Sequence, residues 1–125
     1  MYGKYSLTIL AAACLIVFAA FGQSSLNGVA NQQVVYAIRT VTASDTSTTA
    51  DYTMLCDTTT ANMTETLPAS PLTGEIMYVK KIDATSHTCT VSGNGSNIDG
   101  SATAAIITPN ASIEIQYDGT VWRIL

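Results

Sequence analysis

The sequence predicts an all-β domain, a small antiparallel β-sandwich of jelly-roll type, preceded by one N-terminal hydrophobic segment. Three observations carry this expectation. Threonine is the dominant residue, nineteen in a chain of 125, and its branched Cβ stiffens χ1 and suits a pleated sheet. Short runs of β-branched and aromatic residues are separated by turn signals at a spacing of roughly 8–12 residues, the pattern of a sandwich or barrel. No apolar stripe of helical period follows residue 22.

The chain divides into three parts. Residues 7–21, LTILAAACLIVFAAF, carry no charge; Lys4 precedes them, and Ala20 and Gly22 stand just before Gln23. A basic start, an apolar core and a small-residue cleavage site describe a secretory signal peptide. The run is short for a spanning helix, which needs about 20 apolar residues. Residues 1–22 are therefore read as a signal peptide or a membrane anchor, with any membrane contact running through residues 5–22. Residues 23–33 are polar and aperiodic, a linker. Residues 34–125 form the β-domain, whose expected location is a virion surface or a cell surface, exported or anchored.

Within that domain, residues 34–42 (VVYAIRTVT) alternate and read as a strand. A polar loop spans 43–51. Strands follow at 52–56 and 63–67, across a turn at 57–62. Pro68 and Pro71 lack the amide donor a ladder needs and mark a loop. Further strands are expected at 75–82, 87–92, 104–108, 112–117 and 120–125. Between them lie Gly93-Asn94-Gly95, Asp99-Gly100, Pro109-Asn110 and Asp118-Gly119, all turn formers.

The last pair is read as a two-residue hairpin, since Asp-Gly favours a type I′ turn. That register pairs Ile115 with Trp122 and Ile113 with Ile124. It places Ile113, Ile115, Tyr117, Trp122 and Ile124 on one core-facing side, and Glu114 opposite Arg123 as a solvated ion pair.

Composition excludes some function classes. Charged residues are 11% of the chain, net charge is −4 and the pI is near 4.5. Beyond residue 22 there are four basic and nine acidic side chains. Phosphate neutralisation needs clustered Lys and Arg, so nucleic acid is not an expected partner. No glycine-rich phosphate loop opens a helix. The aspartates sit mostly in turns, and no acidic loop of calcium-binding pattern occurs. His87 is the sole histidine; with Cys89 two residues on it makes only a fragment of a metal site. No nucleophile, base and acid set emerges, so neither enzyme activity nor a cofactor is expected. Cys56 and Cys89 are a candidate disulfide in an exported chain, or else buried free thiols. Tyr36, Tyr52, Tyr78, Tyr117 and Trp122 are read as core aromatics or as sugar-stacking surfaces, with Trp122 assigned to the core.

Six pieces in order resemble a recurring module of tailed-phage structural proteins. They are Arg39-Thr40-Val41-Thr42, Ala50-Asp51-Tyr52-Thr53-Met54-Leu55-Cys56-Asp57, Thr66-Leu67-Pro68, Val79-Lys80-Lys81-Ile82-Asp83, Ile98-Asp99-Gly100 and Tyr117-Asp118-Gly119-Thr120-Val121-Trp122. The module occurs in tail-fibre, tail-spike and head-fibre chains, and the likeness covers roughly residues 38–125. It implies a small β-sandwich, homotrimeric, without catalytic residues, serving virion assembly or attachment to a host surface, where a glycan is an expected partner. The apolar N-terminus departs from that pattern. It supports a second expectation, a secreted or membrane-anchored bacterial surface protein such as an adhesin or appendage subunit. Strands that look apolar on both faces lead to Met77, Val79 and Ile106 as expected subunit contacts.

Overall fold

The computed structural model describes residues 35–125. The apolar segment, its cleavage site and the linker expected at 23–33 lie outside the described residues. Nine strands follow: β1 (Ile38–Val41), β2 (Asp45–Thr46), β3 (Thr53–Cys56), β4 (Met63–Thr66), β5 (Ile76–Lys81), β6 (Cys89–Ser92), β7 (Thr103–Ile106), β8 (Ser112–Tyr117) and β9 (Trp122–Ile124). They build a five-stranded sheet in the order β1-β3-β5-β8-β9 and a four-stranded sheet in the order β2-β4-β6-β7.

Side-chain alternation explains the burial. Along β3 to β6 every second residue is buried and the next is not. Met54, Cys56, Met77, Val79, Ile115 and Trp122 come inward from the five-stranded sheet. Met63, Cys89, Val91 and Ile106 come inward from the other, and all ten belong to one hydrophobic cluster. Fully burying a side chain such as Met77 or Val79 stabilises by roughly 1.5–3 kcal/mol. An exposed ion pair contributes about 0–1 kcal/mol. Register is therefore set by the core, because a slip of one residue would turn the whole inward set outward.

Both sheets are mixed, and the expected all-antiparallel, jelly-roll arrangement is corrected. Four strand pairings are parallel: β1 with β3, β3 with β5, β2 with β4, and β4 with β6. Three are antiparallel: β5 with β8, β6 with β7, and β8 with β9. The cause lies in the connections. From β1 to β6 each strand leads to the other sheet, so odd strands share one direction and even strands share theirs. A parallel pair needs a crossover; here the crossover is a strand of the opposite sheet.

Turn chemistry follows the sequence closely. Asn94, Asp99 and Asn110 have positive φ, as do Gly74, Gly95, Gly100 and Gly119. Asp99-Gly100 closes a two-residue turn, with Ile98 and Ser101 exchanging backbone hydrogen bonds at 2.6 and 3.0 Å. Two consecutive positive φ values make this a type I′ turn. Gly93 serves another purpose: a Cβ there would lie 1.8 Å from the Ser96 carbonyl oxygen.

The closing hairpin differs from the expected one. Tyr117 pairs with Trp122, Gln116 with Arg123 and Ile115 with Ile124, a shift of two residues. The Asp118 carboxylate causes it by accepting from the Thr120 and Val121 amides, both at 2.9 Å. This Asx cap spreads the loop over four residues, and only Gly119 of the Asp-Gly pair takes positive φ. Because the shift is even, the faces are unchanged. Ile115 and Trp122 are fully buried, Ile113 and Tyr117 pack partly buried against the core, and Ile124 at the margin is 41% exposed. Arg123 pairs with Asp118 at 2.8 Å rather than with Glu114.

Met77, Val79 and Ile106, expected at a subunit interface, are core residues with exposures of 0, 0 and 3%. Their strands present the opposite side outward, so the outward residues of β5 are Ile76, Tyr78 and Lys80.

A Cys56–Cys89 disulfide ties β3 in one sheet to β6 in the other, across a sequence separation of 33 and a Cα distance of 6.2 Å. Closing a loop of that length removes about 3–4 kcal/mol of unfolded-state chain entropy. The double variant Cys56→Ala/Cys89→Ala should lose a comparable amount in a denaturant titration. A loss below about 1 kcal/mol would show that packing alone holds the sheets. Trp122→Ala should cost ~3–5 kcal/mol through a core cavity, while Arg123→Ala, exposed, should cost under ~1 kcal/mol; equal losses would contradict the observed faces.

Candidate functional site

Three polar or aromatic clusters stand out from the core. The first caps one end of β5. Lys81 is fully buried and pairs with Asp83. Asp83 also accepts from the Thr58 amide at 2.7 Å, the Thr58 hydroxyl at 2.8 Å, the Thr85 amide at 2.9 Å and the Thr85 hydroxyl at 2.5 Å. Although burial opposes it, this set of donors, Lys81 foremost, holds the Asp83 carboxyl far below the usual range. His87 Nδ1 donates to the Thr58 carbonyl at 2.7 Å. The hydrogen bonds of this cluster tie the loops around Thr58, Asp83 and His87 together. Cys89 is bonded to Cys56, so the His87–Cys89 fragment offers no thiolate to a metal.

A second cluster surrounds Glu65. This residue is fully buried on the inward face of β4 and accepts from the Ser47 hydroxyl. Its other oxygen, Oε2, has no partner. Burial raises its pKa, the Ser47 hydrogen bond lowers it, and the charges of Asp45, Asp51 and Arg39 act weakly in both senses. Nearby, Arg39 bridges Asp45 and Asp51, contacting Asp51 at 3.2 Å.

The third cluster faces outward on the five-stranded sheet. Tyr78 projects from β5, Tyr52 lies just before β3, and Tyr36 lies just before β1. The rings of Tyr36 and Tyr52 stack at 4.1 Å with 22° between planes. Tyr52 and Tyr78 stand 5.2 Å apart and tilted by 51°. Beside the latter two opens a cavity of about 390 Å3 lined by Tyr52, Thr53, Tyr78, Lys80 and Ser112. Lys80 Nζ donates to the Asn110 carbonyl at 2.6 Å, which holds the amine at the rim. Glu114 is the register partner of Tyr78. Hydrogen bonding to Glu114, then burial and then Tyr52, push the Tyr78 phenol well above the usual tyrosine range.

Sequence reasoning names these tyrosines but cannot bring them together. Residues 36, 52 and 78 meet only because β1, β3 and β5 are parallel neighbours, with Ile38, Thr53 and Tyr78 in one row. Trp122 and Tyr117, by contrast, lie at the core, 5.3 Å apart. No family model matches the chain, and no characterised protein matches it in sequence.

Glu65 generates a pH prediction. A carboxyl whose folded pKa is raised above its unfolded value, near 4.5, favours folding below that value and loses the contribution as pH rises through the folded pKa. Glu65→Gln mimics the protonated form. Its stability relative to the parent should therefore improve as pH rises above about 4.5 and level off once the pH passes the folded pKa, read as a gap in denaturant midpoint that grows and then holds. A gap that is flat or narrows with pH would mean that Glu65 is not destabilised as a carboxylate.

Proposed function

We propose that residues 35–125 form a small β-sandwich that serves as a non-catalytic subunit of an extracellular assembly: a virion fibre, spike or capsid-decoration protein used in assembly or host-surface attachment. One observation carries this reading. An aromatic face of Tyr36, Tyr52 and Tyr78 on the five-stranded sheet is left open toward solvent, away from the buried Lys81–Asp83 and Glu65 clusters. Such an arrangement suits binding by a preformed surface. The ordered resemblance of residues 38–125 to a phage structural module supports the virion setting. A cross-sheet disulfide is in keeping with an oxidising compartment.

A second reading, a secreted or membrane-anchored bacterial surface subunit, is favoured by the uncharged segment at residues 7–21. Mass spectrometry of purified virions separates the two. The chain should appear at structural-protein abundance; its absence from virions, together with recovery from a bacterial envelope fraction, would overturn the first reading.

Homotrimeric assembly belongs to the same proposal. With Met77, Val79 and Ile106 inside, its contacts fall to exposed apolar side chains such as Leu72, Ile107 and Leu125, which are 70, 64 and 66% exposed. Light scattering on a fragment beginning at Gln23 should give three times the subunit mass at micromolar concentration, and one subunit mass would refute the trimer.

A further inference from the structure

A notch opens beside Tyr52 and Tyr78. We propose that it binds a neutral pyranose unit of a polysaccharide, stacked on the aromatic surface of these two tyrosines and hydrogen-bonded by Lys80, Ser112 and Thr53. This inference rests on the attachment reading above and names the ligand class for it.

Shape is the first argument. Rings 5.2 Å apart and tilted by 51° pack against each other and present an angled, continuous aromatic surface beside the cavity. Stacking on Tyr36 at 4.1 Å helps to hold the Tyr52 ring in place. The cavity of about 390 Å3 lies within the roughly 300–1,000 Å3 usual for small-ligand sites. Its walls stand on or beside β3, β5 and β8, strands paired on both sides, which suits a preorganised site.

Chemistry is the second. A pyranose offers an apolar C–H face and a rim of hydroxyls that both donate and accept. Here two aromatic faces meet a mixed rim. Lys80 retains two donors after its bond to Asn110, and Ser112 and Thr53 can both donate and accept.

Competing occupants fit less well. A nucleobase would stack, yet its phosphates need cations, and the chain beyond residue 22 has four basic side chains against nine acidic ones. An added peptide strand needs a free sheet edge, and β3 and β5 have none. Acidic sugars would meet the Glu114 carboxylate and the net charge of −4, which leaves neutral ones.

The test uses the full chain in a detergent without a sugar headgroup. Saturation-transfer NMR is run with unbranched hexaoses of glucose, mannose, galactose and N-acetylglucosamine. At least one should receive saturation on its ring protons. Tyr78→Ala and Tyr52→Ala should each weaken its binding about tenfold or more, Tyr78→Phe less than Tyr78→Ala, and Thr90→Ala on the other sheet not at all. Circular dichroism confirms that each variant is folded. Silence from all four sugars at millimolar concentration would overturn the proposal. So would binding that is indifferent to Tyr78→Ala, preferential binding of a thymidine oligonucleotide, or a fall in assembly mass on Tyr78→Ala, which would make the notch a contact between copies. Sugar binding by a chain absent from virions would leave the notch assignment intact while the virion reading fails.

Discussion

The fold depends on one constraint: each of the first five connections must carry the chain from one sheet to the other above a single shared core. This crossing makes β1, β3 and β5 parallel in one sheet and β2, β4 and β6 parallel in the other. It also forces every strand to keep a strict inward alternation, because both sheets draw on the same interior. The Cys56–Cys89 bond sits inside this winding and joins the second odd strand to the third even one. The first return within a sheet is β6 to β7; the chain then crosses once more to β8 and returns within that sheet to β9, and the antiparallel pairings of β7, β8 and β9 accompany this change.

Two inward positions break the apolar rule, and they are resolved differently. Lys81 occupies the inward slot that follows Met77 and Val79 on β5, where desolvation of an ammonium is costly. It is offset because Asp83 returns two residues later with a loop's worth of donors around it. Glu65 has no counter-charge of that kind; one serine hydroxyl serves one oxygen and the other is left bare. The first arrangement stabilises an ionised pair, whereas the second favours the protonated acid. The same core thus holds two carboxyls whose pKa values move in opposite directions, Asp83 down and Glu65 up.

Much of the local structure was legible in the sequence because it rests on local chemistry. Strand β8 at Ser112–Tyr117 matches the expected span, and β4, β5 and β6 differ by one or two residues at their ends. Positive φ occurs at all four turn sites that Asn, Asp and Gly mark. Strand direction was not legible. A turn residue says that the chain reverses or bends, not which sheet it then joins, so parallel crossing and antiparallel return look alike. The inverted assignment of Met77 and Val79 has the same root: alternation separates the two faces of β5 without saying which one is covered. In the last hairpin, the Asp-Gly rule failed because the Asp118 side chain competes with the type I′ turn for the same amides. At Asp99-Gly100 the aspartate's Oδ2 accepts instead from the Ile124 amide, 25 residues away, and the two-residue turn survives.

The tyrosine cluster follows from the same winding. Parallel neighbours keep a constant offset between rows, so residues at corresponding places in successive passages line up across the sheet. Tyr78 stands in the row of Ile38 and Thr53, Tyr52 and Tyr36 lie just before β3 and β1, and the three rings contact one another in succession. An all-antiparallel sheet of this sequence would have put different residues side by side and dispersed them. Antiparallel β8 then supplies what the parallel passages lack, since it sets Glu114 against Tyr78 and Ser112 against Lys80. The tyrosines and the Lys80 and Thr53 part of the rim therefore arise from the crossing part of the chain, and β8 adds Ser112 to that rim.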